Sequence, residues 1–395
     1  MTDWKVITGD CVEVMSRGTE NAIDAIVTDP PYGLKFMGKG WDDMGDGKQQ
    51  EEWHRRWAVE AYRVLKPGGH LLAFGGTRTY HRLASAVEDA GFEIRDQMQW
   101  LYGTGFPKSH NISKAIDKAA GAQRNVVERA KGAATQDTES LGKFNAEYDK
   151  TESATPEAVE WEGWGTALKP AHEPIVVARK PFKGTVAANV LEHGTGGINI
   201  DASRVGQEER PRMVRTETVV AASSMSGEST GATNSGEVTT QGRWPANVIL
   251  DEQAGAILDE QSGHSNSAGH TVSGRGYGNL KGGVARVSPR DEGGASRFFY
   301  CAKASKAERE AGLQPPEDGK RANTHPTVKP AALMAYLVRL VTPPGGTVLD
   351  PFNGSGSTGI ATVQEGFNYI GIELDPDHAE LARTRISHAL DLTRV

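Results

Sequence analysis

The chain has 395 residues and a formal net charge of −7, with 37% hydrophobic and 24% charged residues. This composition is typical of a globular protein with a packed core, and the length suits one large domain with an insertion, or two domains. We expect no membrane helix, because no apolar run approaches about 18 residues, and no signal peptide at the N-terminus. The negative charge excludes a protein coated in positive charge, but a local basic surface could still bind nucleic acid.

The sequence contains only two cysteines, Cys11 and Cys301. Two cysteines in a chain of this length do not make a disulfide framework, so a reducing, cytoplasmic location is predicted. Cysteine and histidine residues do not show the paired spacing of zinc ligands, and we therefore predict no metal site.

The first hundred residues alternate between strand and helix patterns. Strands are predicted at WKVITGD, AIDAIVTD, HLLAFGG and FEIRDQMQWLYG, and helices at CVEVMSRG, EEWHRRWAVEAYRVL and YHRLASAVEDAG. In the second of these helices, Trp53, Trp57 and Ala61 recur at helical spacing, and KPGG ends the pattern. The alternation predicts a mostly parallel sheet with helices on both faces.

The alternation stops after Gly103. Residues 104–165 contain polar helical pieces, and HEPIVVARK then predicts one more strand. Residues 185–296 are rich in Gly, Ser, Thr, Asn and Arg, a composition typical of long loops. Two apolar islands in this segment, WPANVIL and SRFFYCAKA, predict an insertion with a small core of its own.

The alternation resumes near the C-terminus. ALMAYLVRLVTPPGG predicts a helix, TVLDPF a strand, NGSGSTGIATVQEG a glycine loop leading into a helix, NYIGIELD a strand and PDHAELARTRISHAL a final helix. Each end of the chain has too few strands for a stable sheet of its own. We therefore predict one α/β, Rossmann-like, doubly wound sheet that is built from both ends.

The C-terminal glycine loop has the pattern of a nucleotide-binding site. Gly354, Gly356 and Gly359 fit G-x-G-x-x-G between a strand and a helix, and Glu373 ends the next strand, where an acid can bind ribose. Glycine allows the backbone close to a ligand, and the helix N-terminus favours a negative group. The motif alone permits an NAD-dependent oxidoreductase, another adenosine-bearing cofactor or a turn without a ligand.

The stretch TDPPYG follows a strand at the N-terminal end of the chain. Pro30 and Pro31 lack a backbone donor, and at the carboxyl end of a parallel strand such a turn faces the ligand crevice. The carboxylate of Asp29 and a proline-fixed carbonyl can accept the hydrogens of an amine, and Tyr32 can stack on a flat ring. Acceptors placed in this way would stabilise an amine that becomes tetrahedral during attack. A simple Asp-Pro turn is the alternative.

Three motifs together resemble those of DNA amino-methyltransferases. Asp29-Pro30-Pro31-Tyr32 resembles their catalytic motif, Asp350 to Ser357 their S-adenosylmethionine motif, and His325-Pro326-Thr327-Val328-Lys329-Pro330 a third motif. The motif order resembles the permuted β-group of N6-adenine and N4-cytosine enzymes, which implies a circularly permuted class I methyltransferase fold. The implied domains are a catalytic half at 1–183 with an insertion at about 104–165, a target-recognition region at 184–320 and a cofactor-binding half at 321–395.

The resemblance also implies site residues. The cofactor-binding residues would be Asp10, Cys11, His325, Thr327, Lys329, Asp350, Pro351, Phe352, Asn353, Gly354, Ser355, Gly356, Ser357 and Glu373. Among them Asp10 would hold the adenine of the cofactor and Glu373 its ribose. The permutation further implies that the last strand lies beside the strand that begins near Trp4.

Double-stranded DNA is the implied substrate, and its target base must be flipped into a pocket. Tyr32 would stack on that base, and Trp100 and Tyr102 are either the opposite wall or ordinary core. Lys35 and Lys39 either contact phosphate or lie in an ordinary surface loop. Basic residues between 184 and 320 are either contacts to phosphate and guanine or ordinary solvated surface residues, namely Arg204, Arg210, Arg212, Arg215, Arg243, Arg275, Lys281, Arg286 and Arg290.

The family pattern favours adenine as the target base, because its adenine enzymes commonly carry aspartate in this motif and its cytosine enzymes serine. N4-cytosine methylation, an RNA or protein-glutamine amine, and a DNA-binding protein without activity are the remaining alternatives. A homodimer and a cognate restriction enzyme are compatible with the resemblance, and no sequence feature decides either.

Overall fold

The computed structural model describes residues 2–34, 42–103, 105, 109–131, 147–213, 237–267, 271–273, 285–287, 291–303, 306–314, 322–325 and 327–393. The chain divides into two compact units, one formed by Met1–Gly103 and His172–Val395 and the other by Thr104–Ala171. Within the described residues, every helix is too short or too polar to cross a membrane.

The strands of the described residues alternate with helices over most of the first unit. The strands are β1 (Trp4–Thr8), β2 (Ile23–Thr28), β3 (Leu65–Phe74), β4 (Glu93–Leu101), β5 (Val126–Lys131), β6 (Glu147–Thr151), β7 (His172–Arg179), β8 (Val205–Met213), β9 (Glu237–Arg243), β10 (Val248–Asp251), β11 (Ser265–Ser267), β12 (Thr271–Ser273), β13 (Ala285–Val287), β14 (Asp291–Gly293), β15 (Tyr300–Ala302), β16 (Thr347–Asp350) and β17 (Asn368–Glu373). The helices are α1 (Cys11–Ser16), α2 (Gly47–Val64), α3 (Tyr80–Asp89), α4 (Ile112–Ala119), α5 (Pro156–Glu160), α6 (Val186–His193), α7 (Glu252–Ser262), α8 (Lys306–Glu310), α9 (Ala331–Val341), α10 (Ser357–Gln364) and α11 (Pro376–Thr393).

Nine of these described strands form one sheet in the order β1-β17-β16-β2-β3-β7-β4-β10-β15. The pairs are parallel except for those that β7 makes with β3 and β4, which are antiparallel. The chain leaves β4 at Leu101 and re-enters the sheet at His172, directly opposite Leu101. Since β7 starts at the edge where β4 ends, it has to run in the reverse direction. The predicted mostly parallel α/β sheet is confirmed.

Strand β2 lies at the centre of the sheet, and all six of its residues are buried. Successive side chains of a strand point to opposite faces. Accordingly Ala25 and Val27 pack in one hydrophobic cluster, with α9, α10 and α11, whereas Ile26 packs in another, with α2 and α3. Because β2 is buried on both faces, its sequence is a nearly continuous apolar run without alternation of polar and apolar residues.

The two ends of the chain meet in the sheet. β1 pairs in parallel with β17, and Trp4 lies opposite Tyr369. β16 in turn pairs with β2, with Leu349 opposite Ile26. These pairings confirm the prediction that the last strand lies beside the strand starting near Trp4, and that both ends build one sheet.

The apolar islands of the central segment do not form the separate core that the sequence predicts. WPANVIL supplies β10 and SRFFYCAKA supplies β15, and both extend the main sheet beyond β4. Ile249 and Ala302 are buried in the same hydrophobic cluster as Val27. Burying the short apolar stretches against an existing sheet provides more apolar contact than an isolated small core could.

The second unit has a polar centre. Asp117 on α4 is fully buried and accepts hydrogen bonds from Arg124, at 2.6 Å, and from the backbone of Ala154 and Thr155, each at 3.0 Å. These bonds satisfy the buried carboxylate and link α4 to the segment after β6. The proposed boundaries of the three domains remain a prediction.

Candidate active site

A buried hydrogen bond joins the two predicted motifs from opposite ends of the chain. The hydroxyl of Thr28, the last residue of β2, donates to Oδ1 of Asp350, the last residue of β16, at 2.6 Å. Asp350 also accepts hydrogen bonds from the hydroxyl of Thr358, at 2.5 Å, and from the backbone N–H of Phe352, at 3.0 Å. The turn that begins at Asp29 is therefore fixed beside the glycine loop.

Four polar side chains meet at this turn, and we call them the Asp29 cluster: Asp29, Tyr32, Glu173 and Lys329. The Tyr32 hydroxyl lies 2.9 Å from Oδ1 of Asp29 and 2.7 Å from Oε2 of Glu173. Nζ of Lys329 lies 2.5 Å from Oδ2 of Asp29, 3.2 Å from Oε2 of Glu173 and 3.2 Å from the Tyr32 hydroxyl. Asp29 and Glu173 each keep 21% of the side chain exposed, so the cluster is reachable from solvent.

The charges in the cluster fix its protonation. Burial and the carboxylates of Asp29 and Glu173 raise the pKa of Tyr32 well above its ordinary value, so the phenol stays neutral. Burial by itself would lower the pKa of Lys329, but the same two carboxylates outweigh it and raise that pKa. At neutral pH the cluster therefore holds a protonated lysine between two carboxylates.

Two buried side chains of the following segment hold the turn in place. Asp42, which is 2% exposed, accepts hydrogen bonds from the backbone N–H groups of Gly33, at 2.7 Å, and Leu34, at 3.0 Å. The side-chain amide of Gln50 on α2 donates to the carbonyl of Tyr32 at 2.9 Å. A turn with two prolines has few backbone donors of its own, so these side chains supply the contacts that fix it.

The ring of Tyr32 also packs on a glycine after β3. A Cβ atom on Gly76 would lie 3.2 Å from Cδ2 and 3.3 Å from Cβ of Tyr32. Pro31, Tyr32, Gly76 and Tyr80 line a small cleft at this point. A side chain at position 76 would therefore press on the tyrosine ring.

The glycine loop lies tightly against the last helix and the last strand. Gly356 has a positive φ of 82° and precedes the first residue of α10, Ser357. A Cβ atom on Gly359 would lie 2.4 Å from Cδ1 of Ile386 and 2.6 Å from Cε1 of Tyr369. Gly356 is thus required for its backbone conformation, and Gly359 for close packing.

A buried arginine anchors the same loop from α11. Nη1 of Arg385 donates to the carbonyl of Ser355, at 2.5 Å, and to its hydroxyl, at 3.0 Å, while Nη2 donates to the carbonyl of Glu308, at 2.9 Å. Burial lowers the pKa of Arg385 to about 10, which leaves it charged at neutral pH. The glycine loop and α8 are thereby tied to one side chain.

Glu373, His325 and Asp10 are the predicted cofactor-binding side chains near the glycine loop. Glu373 accepts the backbone N–H of Gly354 at 2.7 Å, and Leu374, the next residue, is 66% exposed. Nδ1 of His325 lies 2.6 Å from the carbonyl of Thr327, so it carries the ring proton and Nε2 is an acceptor. Burial lowers the pKa of His325 to about 4, which keeps the ring neutral. Asp10 is exposed and caps α1.

The remaining predicted residues are placed in different ways. The ring centroids of Trp100 and Tyr102 lie 5.3 Å apart, and Trp100 packs against the core. Burial and, to a smaller extent, the charge of Glu173 raise the pKa of Tyr102 to about 12, and the charge of Lys329 opposes this rise. Phe352 packs against Trp53, with ring centroids 5.6 Å apart.

Other predicted residues lie apart from the cluster or outside the described residues. Burial and the charge of Asp10 raise the pKa of the Cys11 thiol to about 12. Arg243 is 8% exposed and pairs with Asp291 at 2.5 Å, so it is tied into the protein. Lys35, Lys39 and Arg275 lie outside the described residues, and their roles stay predictions.

Sequence reasoning missed Glu173, Asp42 and Gln50. Glu173 was visible as the single acid of HEPIVVARK, but its importance depends on β7 running antiparallel into the site. Asp42 and Gln50 lie in a polar stretch where many side chains could serve equally well. Lys329 was predicted to bind the cofactor, and the structure places its ammonium against Asp29.

The chain belongs to the N6/N4 DNA methylase family, whose model it matches over residues 23–384. It is 24% identical to the Type II methyltransferase M.HindIII of Haemophilus influenzae over 231 residues, which cover 49% of this chain and 64% of M.HindIII. It is 33% identical to the Type II methyltransferase M.HpaI of Haemophilus parainfluenzae over 117 residues, 29% of this chain and 37% of M.HpaI. The chain thus spans less than two thirds of either relative.

Solved structures of methyltransferases also align with the chain. PvuII DNA methyltransferase (cytosine-N4-specific) aligns with a TM-score of 0.46 and 13% identity, over 100% of this chain and 92% of PvuII methyltransferase. The complex of M1.HpyAVI with SAM aligns with a TM-score of 0.40 and 16% identity, over 97% and 98% of the two chains.

Proposed function

We propose that this protein is a site-specific DNA methyltransferase that transfers a methyl group from S-adenosylmethionine to the N6 amine of a flipped-out adenine. The hydrogen bond between Thr28 and Asp350 carries the proposal, because it fixes an amine-binding turn beside a nucleotide-binding loop. Family membership supports methyl transfer to an exocyclic amine of DNA and argues against the alternative of an NAD-dependent oxidoreductase. Double-stranded DNA is the proposed substrate.

The residues around the glycine loop fit S-adenosylmethionine. Glu373 already bonds Gly354 and Asp375, and each carboxylate oxygen has a second lone pair for a ribose hydroxyl. The exposed Leu374 offers an apolar surface for a flat adenine ring. Asp10 lies close by, at the end of the strand paired with β17, and its carboxylate can accept the amine of that ring.

The protein's own groups then act on the target amine. S-adenosylmethionine, when bound, supplies the methyl group and takes up the electron pair of the broken C–S bond. The carboxylate of Asp29 accepts a hydrogen bond from the amine, whose nitrogen forms the new N–C bond and loses one proton to solvent through that carboxylate. Tyr32 is neutral and stacks on the base. The negative charge of the Asp29 cluster stabilises the positive charge that develops on the amine.

Several finer points belong to the same proposal. Asp29 favours adenine over cytosine, and N4-cytosine methylation is the alternative reaction. We retain 184–320 as the target-recognition region and the cytoplasm as the location. A homodimer and a cognate restriction enzyme are compatible with these assignments, and neither is part of the proposal.

Expression in a bacterial host without DNA methylation of its own tests the reaction. Methylation-aware sequencing of the host DNA should reveal N6-methyladenine at one short sequence, and mass spectrometry of nucleosides should confirm the base. S-adenosylhomocysteine, but not NAD, should raise the melting temperature of the purified protein. N4-methylcytosine alone would overturn the choice of base, and stabilisation by NAD alone would overturn the enzyme class.

Replacing Gly76 with alanine should lower the rate of methyl transfer between about 2-fold and 10-fold. The new Cβ would lie 3.0 Å from Oγ1 of Thr79 and 3.2 Å from Cδ2 of Tyr32, so both side chains have to move by a few tenths of an ångström, whereas the backbone at position 76 tolerates alanine. Single-turnover rates measure the effect. Gly47→Ala is the matched control, since its Cβ would meet only the far end of the Arg82 side chain, at 3.1 Å or more. Equal rates for both variants would mean that Gly76 does not set the ring position.

A further inference from the structure

The Asp29 cluster contains more charge than methyl transfer to an amine requires. An acceptor for the amine and an aromatic surface would be enough, and Asp29 and Tyr32 supply them. Lys329 and Glu173 are additional, and both side chains come from segments far away along the chain, the motif before α9 and the start of β7. The Lys329 side chain is only 10% exposed, so its charge lies in the pocket and not in bulk solvent.

The lysine places a hydrogen-bond donor directly beside an acceptor. Nζ of Lys329 lies 2.5 Å from Oδ2 of Asp29. The ammonium remains a donor throughout the neutral range because two carboxylates face it. Donor and acceptor side by side complement a group that presents an acceptor and a donor on neighbouring atoms.

The target edge of adenine is such a group. Its exocyclic N6 amine is a donor, and the adjacent ring nitrogen N1 is an acceptor; N4 and N3 of cytosine have the same arrangement. Asp29 complements the amine in either base. Lys329, whose ammonium contacts Asp29, is a charged donor that can complement the ring nitrogen.

We propose that Lys329 donates a hydrogen bond to the ring nitrogen beside the target amine, and so selects bases in which an amine adjoins an unprotonated ring nitrogen. This inference rests on the proposed function and adds a specificity role that methyl transfer itself does not need.

Glu173 makes this role compatible with that of Asp29. As long as Nζ lies on Oδ2 of Asp29, that oxygen is occupied by the lysine. Glu173 is a second anionic partner, 3.2 Å from Nζ, and it keeps the ammonium charge balanced when the amine of the base takes over Oδ2. The lysine therefore moves between two carboxylates without ever becoming an unpaired buried charge, which would be costly.

A base analogue that lacks only the ring acceptor tests the proposal. 1-Deazaadenine keeps the amine and replaces N1 by C–H, and 7-deazaadenine alters an atom away from that edge. In a duplex with the sequence methylated by the wild-type protein, 1-deazaadenine should slow single-turnover transfer about 10- to 100-fold, and 7-deazaadenine should not. If the methylated base is cytosine, 3-deazacytosine takes the place of 1-deazaadenine.

Variants assign the effect to Lys329. Lys329→Met should transfer methyl groups to adenine more slowly than wild type does. Its single-turnover rate should not fall further when 1-deazaadenine replaces adenine. Lys66→Met is the matched control, because it removes a lysine that pairs with Asp24 at 2.5 Å outside the cluster. In this variant 1-deazaadenine should slow methyl transfer as much as in wild type, and we call this loss of rate the 1-deazaadenine penalty. If the methionine variant does not fold, Lys329→Arg serves instead, because a guanidinium cannot occupy the same position among three oxygens and the penalty should shrink severalfold.

The outcomes separate the inference from the reaction itself. An equal 1-deazaadenine penalty in wild type and in the Lys329 variant, or no penalty in wild type, overturns the inference while the proposed function stands. Loss of S-adenosylhomocysteine binding by Lys329→Met with an undiminished penalty would assign the lysine to the cofactor. If the wild-type protein transfers no methyl group to any natural duplex, the proposed function itself fails.

Discussion

Replacing Asp29 with alanine should lower the rate of methyl transfer at least about 10²- to 10³-fold, the usual cost of removing a preorganised group that stabilises a transition state. Affinity for S-adenosylhomocysteine should stay unchanged, because Asp29 accepts hydrogen bonds from Tyr32 and Lys329, which lie outside the glycine loop. Single-turnover kinetics and calorimetric titration measure the two quantities separately.

Asp96→Ala is the matched control, since Asp96 is an exposed aspartate of β4 that bonds Gln97 and Asn247. It should leave both the rate and the affinity at their wild-type values. If Asp29→Ala lost cofactor affinity together with activity, the carboxylate would belong to the cofactor site and its assignment to the target amine would be wrong.

Replacing Asp350 with asparagine should change how stability depends on pH. Burial raises the pKa of Asp350 from 3.8 to about 6, although the hydroxyls of Thr28 and Thr358 oppose the shift. Between about pH 4 and pH 6, Asp350 therefore keeps its proton in the native state and has lost it in the unfolded state. As the pH rises through this window, the free energy of unfolding of wild type should fall by roughly 2 kcal/mol relative to that of Asp350→Asn, and at higher pH the difference should level off.

Urea unfolding of both proteins between pH 4 and pH 8 measures the difference. Other titrating groups cancel, because they are common to the two chains. Thr28→Val removes a donor to the carboxylate, so it should raise the pKa of Asp350 further and extend the window to higher pH. A constant difference between wild type and Asp350→Asn would show that the carboxyl does not titrate in this range.

The sequence predicted those parts of the fold whose signal is local. The period of Trp53, Trp57 and Ala61 gives α2, and the apolar run that ends at Thr28 gives β2, because each pattern reflects burial against one surface or two. The adjacency of β1 and β17 followed from the motif order. Strand direction has no local signal, which explains why the antiparallel course of β7 was not predicted.

The residues of the candidate site also fall into those that a local sequence pattern predicts and those that depend on packing. Asp29, Tyr32 and the glycines were recognisable because a proline turn and a glycine loop are chemically unusual. Glu173 was not, since one glutamate at the start of a strand resembles any exposed acid until β7 is placed between β3 and β4. Lys329 was noticed, but its contact with Asp29 depends on how two distant segments pack.

The hydrogen bond between Thr28 and Asp350 also has a consequence for protein synthesis. Its partners are 322 positions apart in the chain, so at about 5–20 residues per second the ribosome makes the second roughly 16–64 s after the first. Until β16 emerges, β2 has an unpaired edge and an apolar surface that the finished sheet buries completely. The nascent chain therefore exposes this edge during the interval, and the proposed methyl transfer has to wait until the last two described strands, β16 and β17, are made.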